Sequence, residues 1–466
     1  MVGFKLSNKE FFIDIFVANI LILCCLLYKS EIFSVISFIL FVIYIAYLIY
    51  LKSLYFIKYF AFIFGAIIAI NGTAIIEFIS DLYLVKLHCY SNFVGSLPLH
   101  ILSYWSLLIG FKYYDYYNGI ELTINLLSQI YNNVNTRYLK KVNFFVLLIY
   151  LGLFLQVIFN PAFLLGIDRF TYAQIFTMSP FWLKLDHVSH ILLIIPILLI
   201  IKEKYKIAYL TLLFYIFYYI WNGNKFGPFF NLFYIWILLY YPVLLNKDLI
   251  YIREKLNKIL KISIAIFCLT LLIVSTNVNN LENYILNRSS QQGQLWWKTF
   301  DIIDGNIYFD EIDGEIMAMI YAESDISKNI GSRHGIYKIM YLTAPVNIID
   351  TKLSTGSRYT EAGYASLYYY FGCVGVVFAS VMISMIISFT INKFLKSVIE
   401  GDYIASFILL RIIFLERTFL SMFLLNDLFK PISLLSYAYL ILMNNKKFQV
   451  SFDQNIKLKI KRYELY

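Results

Sequence analysis

The residues best suited to chemistry in this 466-residue chain are four arginines in polar, glycine-containing stretches between apolar runs: Arg169, Arg288, Arg333 and Arg358. A guanidinium stays charged and presents a planar fork of N–H donors that matches phosphate oxygens. The competing reading for each is a loop salt bridge. Arg411 and Arg417 differ, because they stand in LLRIIFLERTFLSMF, inside an apolar run, with Glu416 beside Arg417. Charge at membrane depth costs at least about 2.5–3.5 kcal/mol on insertion scales, so it faces a bundle interior or a wet cavity. Arg417 is then either a counter-charge for a diphosphate or half of an internal Arg–Glu pair that stabilises the bundle. Two side chains are candidates for proton transfer. Glu361, in STGSRYTEAGYASLYYYFGCVG (354–375), becomes a general base toward a sugar hydroxyl if close packing raises its pKa. His334, in GSRHG, titrates near neutral pH without such help. A structural role competes with catalysis for both. Gly356 and Gly363 allow a tight backbone beside Arg358, Tyr359 and Thr360.

The stretch RSSQQGQLWWKTFD (288–301) joins Arg288 to Gln292, Gln294, Trp296 and Trp297. Amides and aromatic faces suit a sugar, which offers hydroxyls at its edges and C–H bonds on its faces. Paired tryptophans also belong to the interfacial belt of membrane proteins. The sequence holds no P-loop, GxSxG, HExxH or dinucleotide fingerprint. Its cysteines, Cys24, Cys25, Cys89, Cys268 and Cys373, form no CxxC pair, and the five histidines do not cluster with them. No disulfide framework, metal site or cofactor is expected. The run DGNIYFDEIDGE (304–315) misses the spacing of a calcium loop and reads as a solvated acidic face.

The elements that must position these residues are apolar helices. Hydrophobic residues make up 60% of the chain and charged residues 15%, with mean hydropathy +0.70. That leaves too little polar surface to coat a water-soluble globule. The net charge of +10 sits in short clusters between apolar runs, so the partner is a lipid bilayer and not a nucleic acid. Runs of about 20 apolar residues are needed to span the hydrocarbon. Candidates lie near 11–28, 32–51, 55–80, 97–112, 142–160, 187–201, 207–222, 227–245, 260–277, 366–391, 403–424 and 428–443. The first is read as a retained helix, because no small-residue cleavage site follows it. With the N-terminus inside, the inner segments collect most of the basic residues. The short outer loops hold only Lys29, Lys86, Arg169, Lys184, Lys225 and Lys430. The expected fold is therefore all-α and polytopic, with about 12 transmembrane helices and both termini cytoplasmic. Residues 1–277 hold the first nine helices, 278–365 a large outer loop, 366–445 the last three helices, and 446–466 a basic tail. The outer loop carries enough apolar residues to fold as a cap of short helices. A second outer loop, 161–186, holds NPAFLLGIDRFTYAQIF.

Three passages, GIDRFTY, RSSQQGQLWW and GSRYTEAGYASLYYYFG, together with this topology, resemble the bacterial O-antigen polymerases (Wzy-type oligosaccharide repeat-unit polymerases). The resemblance implies a multi-pass enzyme of the bacterial inner membrane. Such an enzyme transfers a growing glycan from undecaprenyl pyrophosphate to a new lipid-linked repeat unit at the periplasmic face, with no cofactor. It implies that Arg169, Arg288 and Arg358 hold pyrophosphate or orient sugars. A flippase and a chain-length regulator of the same pathway are the implied protein partners. Two other readings stay open. An O-antigen ligase uses the same donor but transfers to lipid A–core. A lipid-linked oligosaccharide flippase would move the unit without chemistry, although the one-sided loop and lack of repeated halves sit poorly with it.

Overall fold

The structure is a computed structural model and describes residues 8–117, 135–165, 172, 175–176, 178–224, 227–245, 247, 250–252, 254, 257, 261, 281–320, 334–354 and 358–444. Over these residues the chain is helical apart from one two-stranded hairpin, β1 (Tyr83–Leu84) paired antiparallel with β2 (Cys89–Tyr90). Six helical segments are long and apolar enough to cross a membrane: α2 (Glu31–Leu51), α4 (Phe60–Phe78), α6 (Thr136–Val157), the pair α8 (Pro180–Leu192) and α9 (Ile194–Glu203), α11 (Gly227–Leu244) and α17 (Gly363–Glu400). Between and beside them stand α1 (Asn8–Leu26), α3 (Ser53–Lys58), α5 (Leu97–Tyr117), α7 (Ala162–Leu165), α10 (Lys206–Trp221), α18 (Tyr403–Met422), α19 (Leu425–Phe429) and α20 (Pro431–Asn444). The apolar runs of the sequence coincide with these helices, except 260–277, most of which lies outside the described residues. Phe12, Phe16, Ile32, Val374 and Phe378 are exposed on helix surfaces. Water would drive such side chains inward, whereas lipid solvates them.

The centre of the bundle is α5, packed along α17, which in turn packs on α18. Close approach comes from small residues: a Cβ added at Gly110 of α5 would meet Ser384 Oγ at 1.8 Å. Two buried ion pairs lock the end of the bundle remote from the hairpin. Lys58 reaches both oxygens of Asp115 at 2.7 Å, with Asn392 donating to the same carboxylate at 3.3 Å, and Lys112 meets Asp14 at 2.6 Å. Lys58 and Lys112 are thus packing residues, and each has its carboxylate within reach.

The long polar segment is a folded cap of short helices: α12 (Leu281–Ser290), α13 (Gln294–Ile303), a 3-10 turn (Phe309–Ile312), α14 (Asp313–Ile320), α15 (Gly335–Thr343) and α16 (Val346–Ser354). It does not rest on top of the bundle. The turn between α12 and α13 is wedged against α4, where an added Cβ on Gly293 would stand 2.1 Å from the Thr73 nitrogen. Gly72 and Thr73 lie six and five residues before the end of α4, roughly 8–9 Å below it at 1.5 Å per residue. α17 also contributes to the cap. Gly372 (φ +65°, ψ −168°) breaks it, so that the tyrosine-rich turns before the break pack among cap helices, while the remainder buries one face in the bundle and leaves Val374, Phe378, Met382 and Ile386 exposed on the other.

Candidate functional site

The segment 358–362 joins the cap to α17, and three independent ties fix its course. The Tyr359 hydroxyl donates to the Lys86 carbonyl in the hairpin turn. Thr360 Oγ1 donates to Gln292 Oε1 at 3.1 Å, and the Ala362 N–H donates to the Ser421 carbonyl at 2.8 Å. Between these ties Glu361 takes a left-handed conformation, φ +61°. A side chain with a Cβ in that region costs roughly 1–3 kcal/mol and persists only where the surroundings impose it. Gly363, directly after, is required by contact alone, since a Cβ there would meet the Leu420 carbonyl oxygen at 1.8 Å.

This backbone aims the Glu361 carboxyl into the bundle. The Tyr104 hydroxyl of α5 donates to its Oε2 at 3.3 Å, and Tyr104 packs on Tyr364 with ring centres 4.2 Å apart. The Arg417 guanidinium of α18 acts on the same carboxyl electrostatically. Burial pushes Glu361 up to about 7, against the opposing pull of the Tyr104 hydroxyl and Arg417. Arg417 does not pair with its neighbour Glu416, which accepts from Thr390 Oγ1 at 2.6 Å instead. Its Nη1 donates to Asn231 Oδ1 of α11 at 2.9 Å, and its guanidinium carbon lies 4.2 Å from the centre of the Phe230 ring. Around it stand the fully buried Tyr234, whose hydroxyl finds no hydrogen-bond partner among the described residues, and His190 of α8, packed edge-on against Phe414 at 4.8 Å. The arrangement is a base near neutrality opposite an arginine that makes one hydrogen bond among the described residues, at the junction of cap and bundle. Both side chains retain partial exposure.

A second group of cations forms where the hairpin meets 358–361. The Lys86 ammonium lies 5.1 Å from the centre of the Tyr359 ring. Burial pushes Lys86 down to about 8, and the charges of Arg288 and Lys352 push the same way. Arg288 donates to Gln291 Oε1 at 3.0 Å and is otherwise exposed on α12.

The remaining sequence candidates fall elsewhere. Trp296 and Trp297 are buried to 1% and 0% exposure. Trp296 stacks on His100 at 4.5 Å and donates to the Ser96 carbonyl, while Trp297 donates to the Asn92 carbonyl. Neither ring offers a face to a sugar or sits in an interfacial belt, because both clamp the cap to the hairpin and α5. Gln294, at 1% exposure, is buried with them. Arg411 spends its fork on α20, donating to the Ile432 carbonyl and to Ser433 and Ser436 hydroxyls at 3.1–3.3 Å, so it is a helix clamp and not an anion ligand. His334 is fully buried at the head of α15, its ring 5.3 Å from Tyr337, and Arg358 covers the same Tyr337 ring at 5.1 Å. The run 304–315 is not uniformly solvated. Glu311 pairs with Lys338 and accepts from the Tyr369 hydroxyl. Glu315 is fully buried, accepts from the Gly335 N–H and the Tyr370 hydroxyl, and is pushed up to about 7 by burial. Arg169 and Arg333 lie outside the described residues. The sequence reading did not single out Tyr104, Asn231, Tyr234, His190 or Lys86 as site residues. Only their polarity inside or beside apolar runs marked them.

Fold and site together define an all-α protein whose membrane-length apolar helices carry a wedged polar cap. Residues 330–436 are similar to DUF6418, a family of unknown function. That stretch is less than a quarter of the chain; it includes His334, Arg358, Glu361, Arg411 and Arg417 and leaves out Arg288 and the tryptophan pair. No curated protein and no solved structure matches the chain.

Proposed function

We propose that the chain is a membrane glycosyltransferase of the O-antigen polymerase type, joining oligosaccharide repeat units carried on undecaprenyl pyrophosphate at the periplasmic face of a bacterial inner membrane. In this reading about twelve helices cross the bilayer, both ends of the chain lie in the cytoplasm, and 278–365 stands in the periplasm. The observation that carries it is Glu361, held near neutrality in a left-handed backbone opposite Arg417 where cap meets bundle. A carboxyl with that pKa is suited to take a proton from a sugar hydroxyl at physiological pH. The acceptor oxygen then bonds to the donor's anomeric carbon, the bond from that carbon to the pyrophosphate oxygen breaks, and the lipid pyrophosphate departs with the electron pair. Arg417, placed about 8 Å below the end of α18 by helix rise, meets the diphosphate at headgroup depth, with Asn231 fixing its orientation. The leaving group is already activated, so positioning and charge neutralisation supply the rest.

The test is lipopolysaccharide gel profiling of a deletion strain rescued with Glu361→Gln or Arg417→Ala at matched membrane levels. Both variants are expected to collapse the ladder to core plus one repeat. An unchanged ladder in both removes the assignment of the site. Core lacking even a single repeat points instead to the ligase.

A further inference from the structure

The cations on the hairpin side of Glu361 have a geometry of their own. Tyr359 is fully buried beneath Lys86, and its hydroxyl is bound to the Lys86 carbonyl, so the hairpin turn cannot drift from the 358–362 segment. Thr360 is tied to Gln292, just past the end of α12, whose last turn carries Arg288. α12 itself packs on β1. Lys86 and Arg288, far apart in sequence, are thereby held on one patch, with Lys352 adding to the field at Lys86. Among the described residues neither Lys86 nor Arg288 has a carboxylate within ion-pair distance. Like charges gathered without a counter-charge repel, and an anion placed between them removes that repulsion.

We propose that Lys86 and Arg288 form a second anion site, which receives the carboxylate of an acidic sugar beside the acceptor unit. The proposal rests on the reading of Glu361 as the base for a sugar hydroxyl. Tyr359 and Glu361 are two residues apart, at most about 7 Å along the chain, which is the scale of one or two sugar rings. An acceptor sugar at Glu361 therefore carries its neighbour toward Lys86, which covers the buried Tyr359. The diphosphate is met on the opposite side, at Arg417. A carboxylate suits the exposed Arg288 fork, with Lys86 as a point charge beside it. The site makes the protein selective for glycans bearing a sugar acid near the end that is extended.

The experiment uses the full chain in phosphatidylcholine nanodiscs and measures binding of trigalacturonate, a neutral galactose trimer and inorganic pyrophosphate. Trigalacturonate is expected to bind more tightly than the neutral trimer. Arg288→Ala and Lys86→Met (which keeps the stem over Tyr359) are each expected to weaken it about tenfold or more, the loss of one charge-assisted contact. Lys298→Ala, which removes the pair with Asp301 and the contact over the Trp297 ring but none of the cluster's cations, serves as the control and leaves binding unchanged. Equal binding of acidic and neutral trimers overturns the proposal, as does indifference to both cluster variants. If Arg288→Ala weakens pyrophosphate as much as trigalacturonate, the cluster is a diphosphate site and the sugar-acid assignment is wrong. These readouts need no turnover, so they stand apart from the ladder phenotype of Glu361→Gln.

Discussion

Glu361 combines two costly features, a left-handed backbone and a buried carboxyl, and each is imposed by elements distant in sequence. Tyr104 lies on α5, Arg417 on α18 and the Ala362 anchor at Ser421, so the environment that makes Glu361 a base could not be read from STGSRYTEAG itself. Its presence in a glycine-flanked approach to a helix was legible, and so was the condition that packing raise its pKa. Gln in its place keeps the shape and loses the base, so Glu361→Gln is expected to reduce glycan transfer by roughly a hundredfold or more. Because the working form is the ionised one, the rate for the native protein rises as pH climbs toward about 7 and levels above it. Stability moves the other way. Glu361 and Glu315 both bind their protons more tightly in the fold than at the ordinary 4.5. The folded state therefore holds more protons than the unfolded chain between pH 4.5 and about 7, and stability falls as pH rises through that window. Thermal unfolding in detergent should show a lower midpoint at pH 7.5 than at pH 5, with a smaller difference in Glu315→Gln.

The helices were legible because length and apolarity alone decide whether a segment crosses hydrocarbon. The wedge between cap and bundle was not, since nothing local tells which face of an aromatic pair will be covered. Trp296 and Trp297 look like a sugar platform in QLWWK, yet their indole N–H groups bond carbonyls of the 92–96 segment and their rings are enclosed. Trp297→Ala is expected to cost about 3–5 kcal/mol of stability through the cavity it leaves. Gly293→Ala, which drives a methyl into the α4 backbone at Thr73, is expected to cost about 1–3 kcal/mol. Both are read as a lowered unfolding midpoint; a normal midpoint for Gly293→Ala means the cap does not sit against α4. The Arg417–Glu416 pair fails for a reason the sequence did contain. Adjacent residues on a helix point about 100° apart and do not face each other, so Arg417 turns to α11 and Glu416 to α17.

At the scale of the molecule, the proposed transfer requires the cap, Glu361 and Arg417 to share one side of the membrane with the lipid-linked substrates. A cysteine at Thr351, exposed on α16, in a chain whose native cysteines are replaced, is expected to react with a membrane-impermeant maleimide in intact cells. Labelling only after lysis places the cap in the cytoplasm. The alternation of apolar runs and basic clusters made this side legible as an expectation, whereas the depth of the cap is a property of packing that only the assembled helices possess. The most direct measurement is reconstitution of the purified chain in nanodiscs with a lipid-pyrophosphate-linked repeat unit, following glycan length and released lipid pyrophosphate together. The expected result is products in whole multiples of the repeat, one lipid pyrophosphate freed per new linkage, and neither with Glu361→Gln. Polymer formed at the native rate by Glu361→Gln, or no polymer from the native chain on the same substrate, contradicts it.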